Sequence, residues 1–284
     1  MTTKEQEELD KKEEERMYFE RMLSDSYIDP SEDIDYPPVA ISMGSYSYNT
    51  RSGLKTYPIP IGTYGNFSFV QAPPKVGKSY FISLLTSVYL KEDIGIRGGK
   101  MRGHRERKEV VHFDTEQGKF HASKVFKRPL EMAGHGFDGY HCLALRAMSP
   151  TTRLNYIDWY LEYKMEDVGL VIIDGIADLC NNVNCVEEAS RVTQKVMEWT
   201  ANYDCHMVLV IHSNFGSDKP TGHLGSFLEK KTETQIQLEK NPVDKSAVDV
   251  KCKRSRNKPF DEFTFRIDRF GLPEVSDIDI NLIP

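Results

Sequence analysis

The chain has 284 residues, 39% of them hydrophobic and 28% charged, with a net charge of −6; that length suits one α/β domain with appendages and leaves little room for a second. No run approaches the roughly 18 apolar residues of a membrane span, and the charged start Met1 to Arg16 lacks the apolar stretch of a secretory leader, so a soluble cytoplasmic protein without a membrane partner is expected. Five cysteines (Cys142, Cys180, Cys185, Cys205 and Cys252) form no Cys-x-x-Cys pair, which argues for reduced, partly buried thiols rather than a disulfide framework or a zinc site.

The charge is unevenly spread. Residues 1–36 hold 13 Asp or Glu against 5 Lys or Arg, a balance of −8 that leaves the rest of the chain at +2. Glu274, Asp277 and Asp279 make the far end acidic as well. The body between is mildly basic, which permits nucleic-acid binding without requiring it.

In chain order, Thr3 to Met22 is dense in Glu, Lys and Arg with apolar side chains gathered at Met17, Phe19, Met22 and Leu23. This predicts a solvated helix with one sticky patch, either a free acidic tail or an arm for a neighbouring subunit. Asp29-Pro30 and Pro37-Pro38 break it and mark a linker, giving a segment 1–38 ahead of a single domain 39–273 and a tail 274–284. In the body, apolar strands are expected over 66–70, 110–113, 140–145, 170–173 and 207–211, with helices over 80–90 and 187–203. That alternation gives a mostly parallel sheet covered on both faces. Shorter alternating segments at 234–239, 247–253 and 262–267 predict an antiparallel extension.

The strongest chemical signal is Ala72-Pro73-Pro74-Lys75-Val76-Gly77-Lys78-Ser79 followed by Tyr80, set between a strand and a helix. Backbone N–H groups of such a loop point at phosphates, Lys78 reaches the β and γ phosphates of ATP, and Ser79 offers an oxygen to Mg²⁺. Ala72 stands where the first glycine of the motif belongs, which predicts a different or strained turn into the loop. Gly169 to Asp174 is an apolar strand ending in an acid, a second expected Mg²⁺ contact through Asp174. Glu116, just past the 110–113 strand, is the expected base that polarises the attacking water, with a plain helix-start acid as the other reading.

Together the series Ala-Pro-Pro-Lys-Val-Gly-Lys-Ser, Phe-Asp-Thr-Glu-Gln, Leu-Val-Ile-Ile-Asp-Gly-Ile-Ala-Asp-Leu, Val-Ile-His-Ser-Asn and Lys-Arg-Ser-Arg-Asn-Lys-Pro resembles the RecA superfamily. Within it the series looks most like the hexameric helicases of the DnaB and RepA type found in phages and mobile elements. The resemblance spans roughly residues 60–270. It implies a RecA-like α/β fold, ATP with Mg²⁺, a homo-oligomer that is a hexameric ring or else a filament, and single-stranded DNA as partner. By position it implies that His212 and Asn214 sense the γ phosphate, that Arg256 is an arginine finger entering a neighbour's site, and that Arg254 is a second phosphate contact. A solvated charge run is the alternative for the two arginines. Two segments are candidates for touching the strand: 215–225, where such rings place a pore loop, and 97–108, with Arg97, Lys100, Arg102, Arg105, Arg107 and Lys108 among glycines, which reads as a mobile phosphate-binding loop or else a plain solvated one. A recombinase-like filament former and a nucleotide-switched assembly ATPase that moves no DNA are the competing functions.

Overall fold

The computed structural model describes residues 3–32, 34–50, 53–92, 99–106, 108–134, 136–214 and 217–276. They fall into two units divided between Tyr36 and Pro37. The first holds helix α1 (Thr3–Ser26), whose exposed face carries Met17, Tyr18, Phe19, Met22 and Leu23 and whose Arg16 pairs with Glu13 and Glu20 one turn to either side.

The second unit runs β1 (Val39–Thr50), β2 (Gly53–Thr63), β3 (Phe67–Ala72), α2 (Lys78–Lys91), β4 (Met101–Gly103), β5 (Glu109–Asp114), α3 (Lys119–Ala133), β6 (Tyr140–Ala144), α4 (Pro150–Lys164), β7 (Val168–Asp174), α5 (Val186–Asn202), β8 (His206–His212), α6 (Gly222–Lys231), β9 (Thr234–Lys240), β10 (Ala247–Ser255), β11 (Phe263–Ile267) and β12 (Pro273–Ser276). A nine-stranded sheet has the order β12-β11-β10-β9-β3-β8-β7-β5-β6. From β9 to β6 neighbouring strands run parallel, and β10 to β12 extend it antiparallel. The fold is therefore the expected RecA-like α/β sheet with an antiparallel extension.

The parallel strands are apolar nearly throughout because both of their faces are covered. Alternation along each strand feeds two cores. Leu170, Ile172, Val208 and Val210 pack with Phe81, Leu85 and Val88 of α2, while Val171, Ile173, Met207 and Leu209 pack with Ile157 of α4, Val196 of α5 and Leu228 of α6. Helix α5 contributes Ala189, Val192, Val196 and Trp199, the three- and four-residue spacing of one helix face.

A small sheet of order β2-β1-β4 was not anticipated, and it changes the reading of the cationic 97–108 segment. Arg97 and Arg107 lie outside the described residues. Met101 to Gly103 pairs with β1, and a side chain at Gly103 would meet the Tyr89 Cα at 2.5 Å, so only glycine lets the strand lie this close to α2. Arg105 donates to the Lys108 carbonyl and lies over the Phe137 ring, and Lys108 pairs with Asp167 over the Tyr64 ring. The buried Met101 fixes this stretch as a strand rather than the mobile loop expected from its glycines. The expected pore segment also takes a different form: Phe215 lies outside the described residues, Ser213 bridges to Pro220, and 222–225 begin α6.

Candidate active site

Parallel register sets the site. Pairing of β3 with β8 puts Ala72 level with His212, and pairing of β5 with β7 puts Asp114 level with Asp174, so four strand ends open on one edge of the sheet. Beyond β3 the chain turns through residues 73–76 and enters α2 at Lys78. The turn into the loop takes its left-handed geometry at Lys75 (φ 64°) and Gly77 (φ 119°), while Ala72 is the buried last position of β3 with its carbonyl accepting from the Ser213 N–H. A non-glycine residue held left-handed costs roughly 1–2 kcal/mol, so the strain of this loop sits at Lys75.

Within the loop the Lys78 ammonium donates to the carbonyls of Ala72 and Pro73, both at 3.3 Å, and to Nδ1 of His212 at 3.0 Å. With Nδ1 accepting, the ring proton lies on Nε2, which faces Oε2 of Glu116 at 3.8 Å. Lys78, His212 and Glu116 thus form a chain across the cleft. Burial lowers the pKa of Lys78 against the opposing pull of Asp174 and Glu116. The His212 ring edge and the Lys78 ammonium hold Glu116 below its ordinary value despite partial burial, so Glu116 is ionised at neutral pH.

Asp174 closes the apolar β7. Its burial, with Asp114 and Glu116 nearby, raises its pKa to about 7. Such a carboxyl is poised to ionise when a cation arrives. Among the described residues no group of three or more His, Cys, Asp or Glu could hold a metal alone. The oxygens of Asp174 and Ser79 suit Mg²⁺, which takes one or two protein ligands and completes its octahedron with phosphate and water. Residues lining a cleft of about 270 Å³ include Glu116, Asp174, Asp178 and His212.

Sequence reading missed the residues that hold these groups in place. Buried Asp114 accepts from the backbone N–H groups of Glu116 and Gln117 and from the Gln117 side chain, which fixes the turn that presents Glu116. The Thr115 hydroxyl accepts from the Gly175 N–H and donates to Asp178, tying that turn to the end of β7. An Asp two residues before an acid at a strand end is the signal that was available, since Asp habitually caps its own following turn. Arg128 of α3 donates to the Ser79 carbonyl and lies 4.1 Å from the Tyr80 ring centre, bracing the start of α2.

Asn214 does not join the cluster through any recorded side-chain bond to it; its amide faces the Pro220 carbonyl at 3.5 Å. Beyond it, Thr221 donates to the His212 carbonyl, and Gln71 of β3 donates to the Asp218 carbonyl. Arg254 and Arg256 lie elsewhere. Ser255 of β10 pairs with Thr234 of β9, which is level with Ser68 at the start of β3, so the two arginines sit at the opposite edge of the sheet from their own P-loop. Arg254 pairs with Glu229 at 3.4 Å and Arg256 donates to the Lys231 carbonyl.

No curated protein matches the chain. The family model described as "AAA domain" matches residues 62–218, which takes in the P-loop, the strand carrying Asp174 and the strand carrying His212. A strand, a glycine-bearing phosphate loop opening a helix, a poised carboxyl on the next strands and a family match over more than half of the chain agree: the chain belongs to the AAA domain family of P-loop ATPases.

Proposed function

We propose that this ATPase is a motor acting on DNA, a ring-shaped replicative-type helicase or translocase that hydrolyses ATP between adjacent copies. The observation that supports this reading is the separation of Arg254 and Arg256 from the P-loop of their own chain. From Ser68 to Ala72 is four strand steps, roughly 13 Å at about 3.3 Å each, and the P-loop lies beyond that. In this reading the guanidinium of Arg256 neutralises transition-state charge in the site of a second copy, and repeated head-to-tail contacts close as a ring or continue as a filament.

In this reading ATP supplies the phosphoanhydride to be cleaved and Mg²⁺ the charge that offsets its phosphates. Lys78 and the N–H groups of the loop hold the β and γ phosphates, and Ser79 with Asp174 holds the cation. Ionised Glu116 orients and deprotonates the attacking water. His212, bonded to Lys78 through one nitrogen and facing Glu116 with the other, is the group whose partners change with the γ phosphate. Its carbonyl accepts from Thr221, so Thr221 follows the state of the site.

The test is ATP hydrolysis with and without single-stranded DNA, beside a mass measurement with nucleotide. DNA-stimulated turnover in a closed oligomer is expected. Helical filaments would favour the recombinase-like alternative. Unstimulated turnover with no assembly would favour the nucleotide switch and overturn the motor.

A further inference from the structure

Strands β1 and β2 run past β4 as a hairpin whose outer part, Ser45 to Asn49 and Gly53 to Tyr57, is exposed or half-buried on both faces. Its register pairs Tyr46 with Tyr57 and Tyr48 with Lys55, which puts all four side chains on one face. The three rings stack: Tyr46 to Tyr48 at 6.0 Å, Tyr46 to Tyr57 at 6.1 Å and Tyr48 to Tyr57 at 5.1 Å, with interplanar angles of 18°, 30° and 14°. Tyr46 is packed against the main core and anchors the ladder, while Tyr48 is 46% exposed at its outer end.

Cations flank this face from two distant parts of the chain. Lys55 stands opposite Tyr48 in the hairpin, and the Lys258 ammonium lies 4.6 Å from the Tyr46 ring centre. No Asp or Glu occurs anywhere from Tyr36 to Lys91, in a chain that holds 43 of them. A buried aromatic ladder would be explained by packing alone. An exposed one, bordered by lysines and kept free of acids along its own segment, has the two properties of a surface for single-stranded nucleic acid: π faces on which any base stacks, and charge for the backbone.

We propose that the tyrosine face of the β1–β2 hairpin is a docking platform for single-stranded nucleic acid, separate from the nucleotide cleft. The platform binds without regard to sequence and without bound nucleotide, because its rings are already stacked by the hairpin register. It does not rest on the ring reading: a motor and a switch could equally carry it.

The experiment is fluorescence anisotropy of the full chain with fluorescein-labelled oligo(dT), and with oligo(rU) to separate DNA from RNA, in the absence of nucleotide. Wild type should bind at least one of the two, more weakly as salt rises. Tyr48→Ala with Tyr57→Ala should weaken binding roughly five- to a hundredfold per lost stack. Tyr48→Phe keeps the π face and should stay within about twofold of wild type. DNA-independent ATP hydrolysis should be unchanged in every variant, since none touches the cleft. Lys55→Glu, which leaves the rings intact, should also weaken binding and carries the test should the double alanine variant lose its native circular dichroism. Failure of wild type to bind either oligonucleotide, or wild-type affinity in a folded Lys55→Glu or double alanine variant, overturns the proposal. So does a double variant that changes mass in solution while its affinity stays the same, which would make this face a contact between copies.

Discussion

Replacing Asp174 by Asn should make the nucleotide-free protein more stable above neutral pH while abolishing hydrolysis. In the unfolded chain this carboxyl ionises near 3.8, but in the fold only near 7, because burial comes first and Asp114 and Glu116 add like charge. A folded value raised above the unfolded one means that the stability carried by the neutral acid is complete below about pH 3.8 and drains away as pH climbs to about 7. Moving a carboxyl over that interval corresponds to roughly 4 kcal/mol, an upper figure because the fold relaxes around a buried charge. Asn cannot ionise, so the stability of the variant minus that of wild type should be near zero around pH 4, grow with pH, and level off above pH 7 at a few kcal/mol. Urea unfolding at a series of pH values measures the difference directly, and taking the difference cancels every other titrating group. Mg²⁺ with ATP should stabilise wild type at pH 8 and do little for the variant, since ligand that binds only the folded state stabilises it in proportion to occupancy. A difference that is flat with pH, or an Asn variant weaker than wild type at pH 8, would refute the claim that burial, with Asp114 and Glu116 nearby, raises the pKa of Asp174.

Glu116→Gln should keep nucleotide binding and slow hydrolysis by about a hundredfold or more; loss of binding in a nucleotide titration would make Glu116 structural instead. Lys78→Ala should lose hydrolysis, and Arg256→Ala should bind ATP yet hydrolyse it about 10³-fold more slowly. Mixing the two should restore activity at interfaces pairing an intact Lys78 with an intact Arg256, so stably mixed oligomers without recovery would sink the shared site. Gly62→Ala should destabilise the fold by roughly 1–3 kcal/mol or more, because the added methyl would stand 2.1 Å from the buried His206 ring; an unchanged melting temperature would show that the ring can move aside.

Strands announced themselves where burial on both faces left a continuous apolar run, as in Gly169 to Asp174, and where a helix kept one apolar face, as in α5. The parts that stayed hidden have physical reasons. In β1 and β2 the outer half carries Ser, Thr, Asn and Tyr on faces that water reaches, so no apolar alternation marks it. In β4 a single buried side chain, Met101, stands beside exposed Arg102 and a glycine that serves close approach to α2, too little for an apolar pattern, and the surrounding Arg and Lys side chains mask the strand. The tyrosine ladder is invisible to local reading for a further reason: Tyr46 and Tyr48 meet Tyr57 only through a hairpin register that Arg51 to Gly53 do not spell out as a standard two-residue turn.

The site divides along the same line. Lys78, Ser79 and Asp174 were legible because each sits in a contiguous string whose spacing is dictated by one strand and the turn after it. The link among Lys78, His212 and Glu116 depends instead on which strands are neighbours. His212 reaches Lys78 because β8 lies against β3 in parallel register, and Glu116 reaches His212 from β5, which is separated from β8 by β7. Strand order is set by crossover connections tens of residues long, and no local pattern encodes it. A polar residue ending an apolar strand, as His212 and Asp114 both do, marks the open edge of a parallel sheet. The partner it finds there is decided by the fold as a whole.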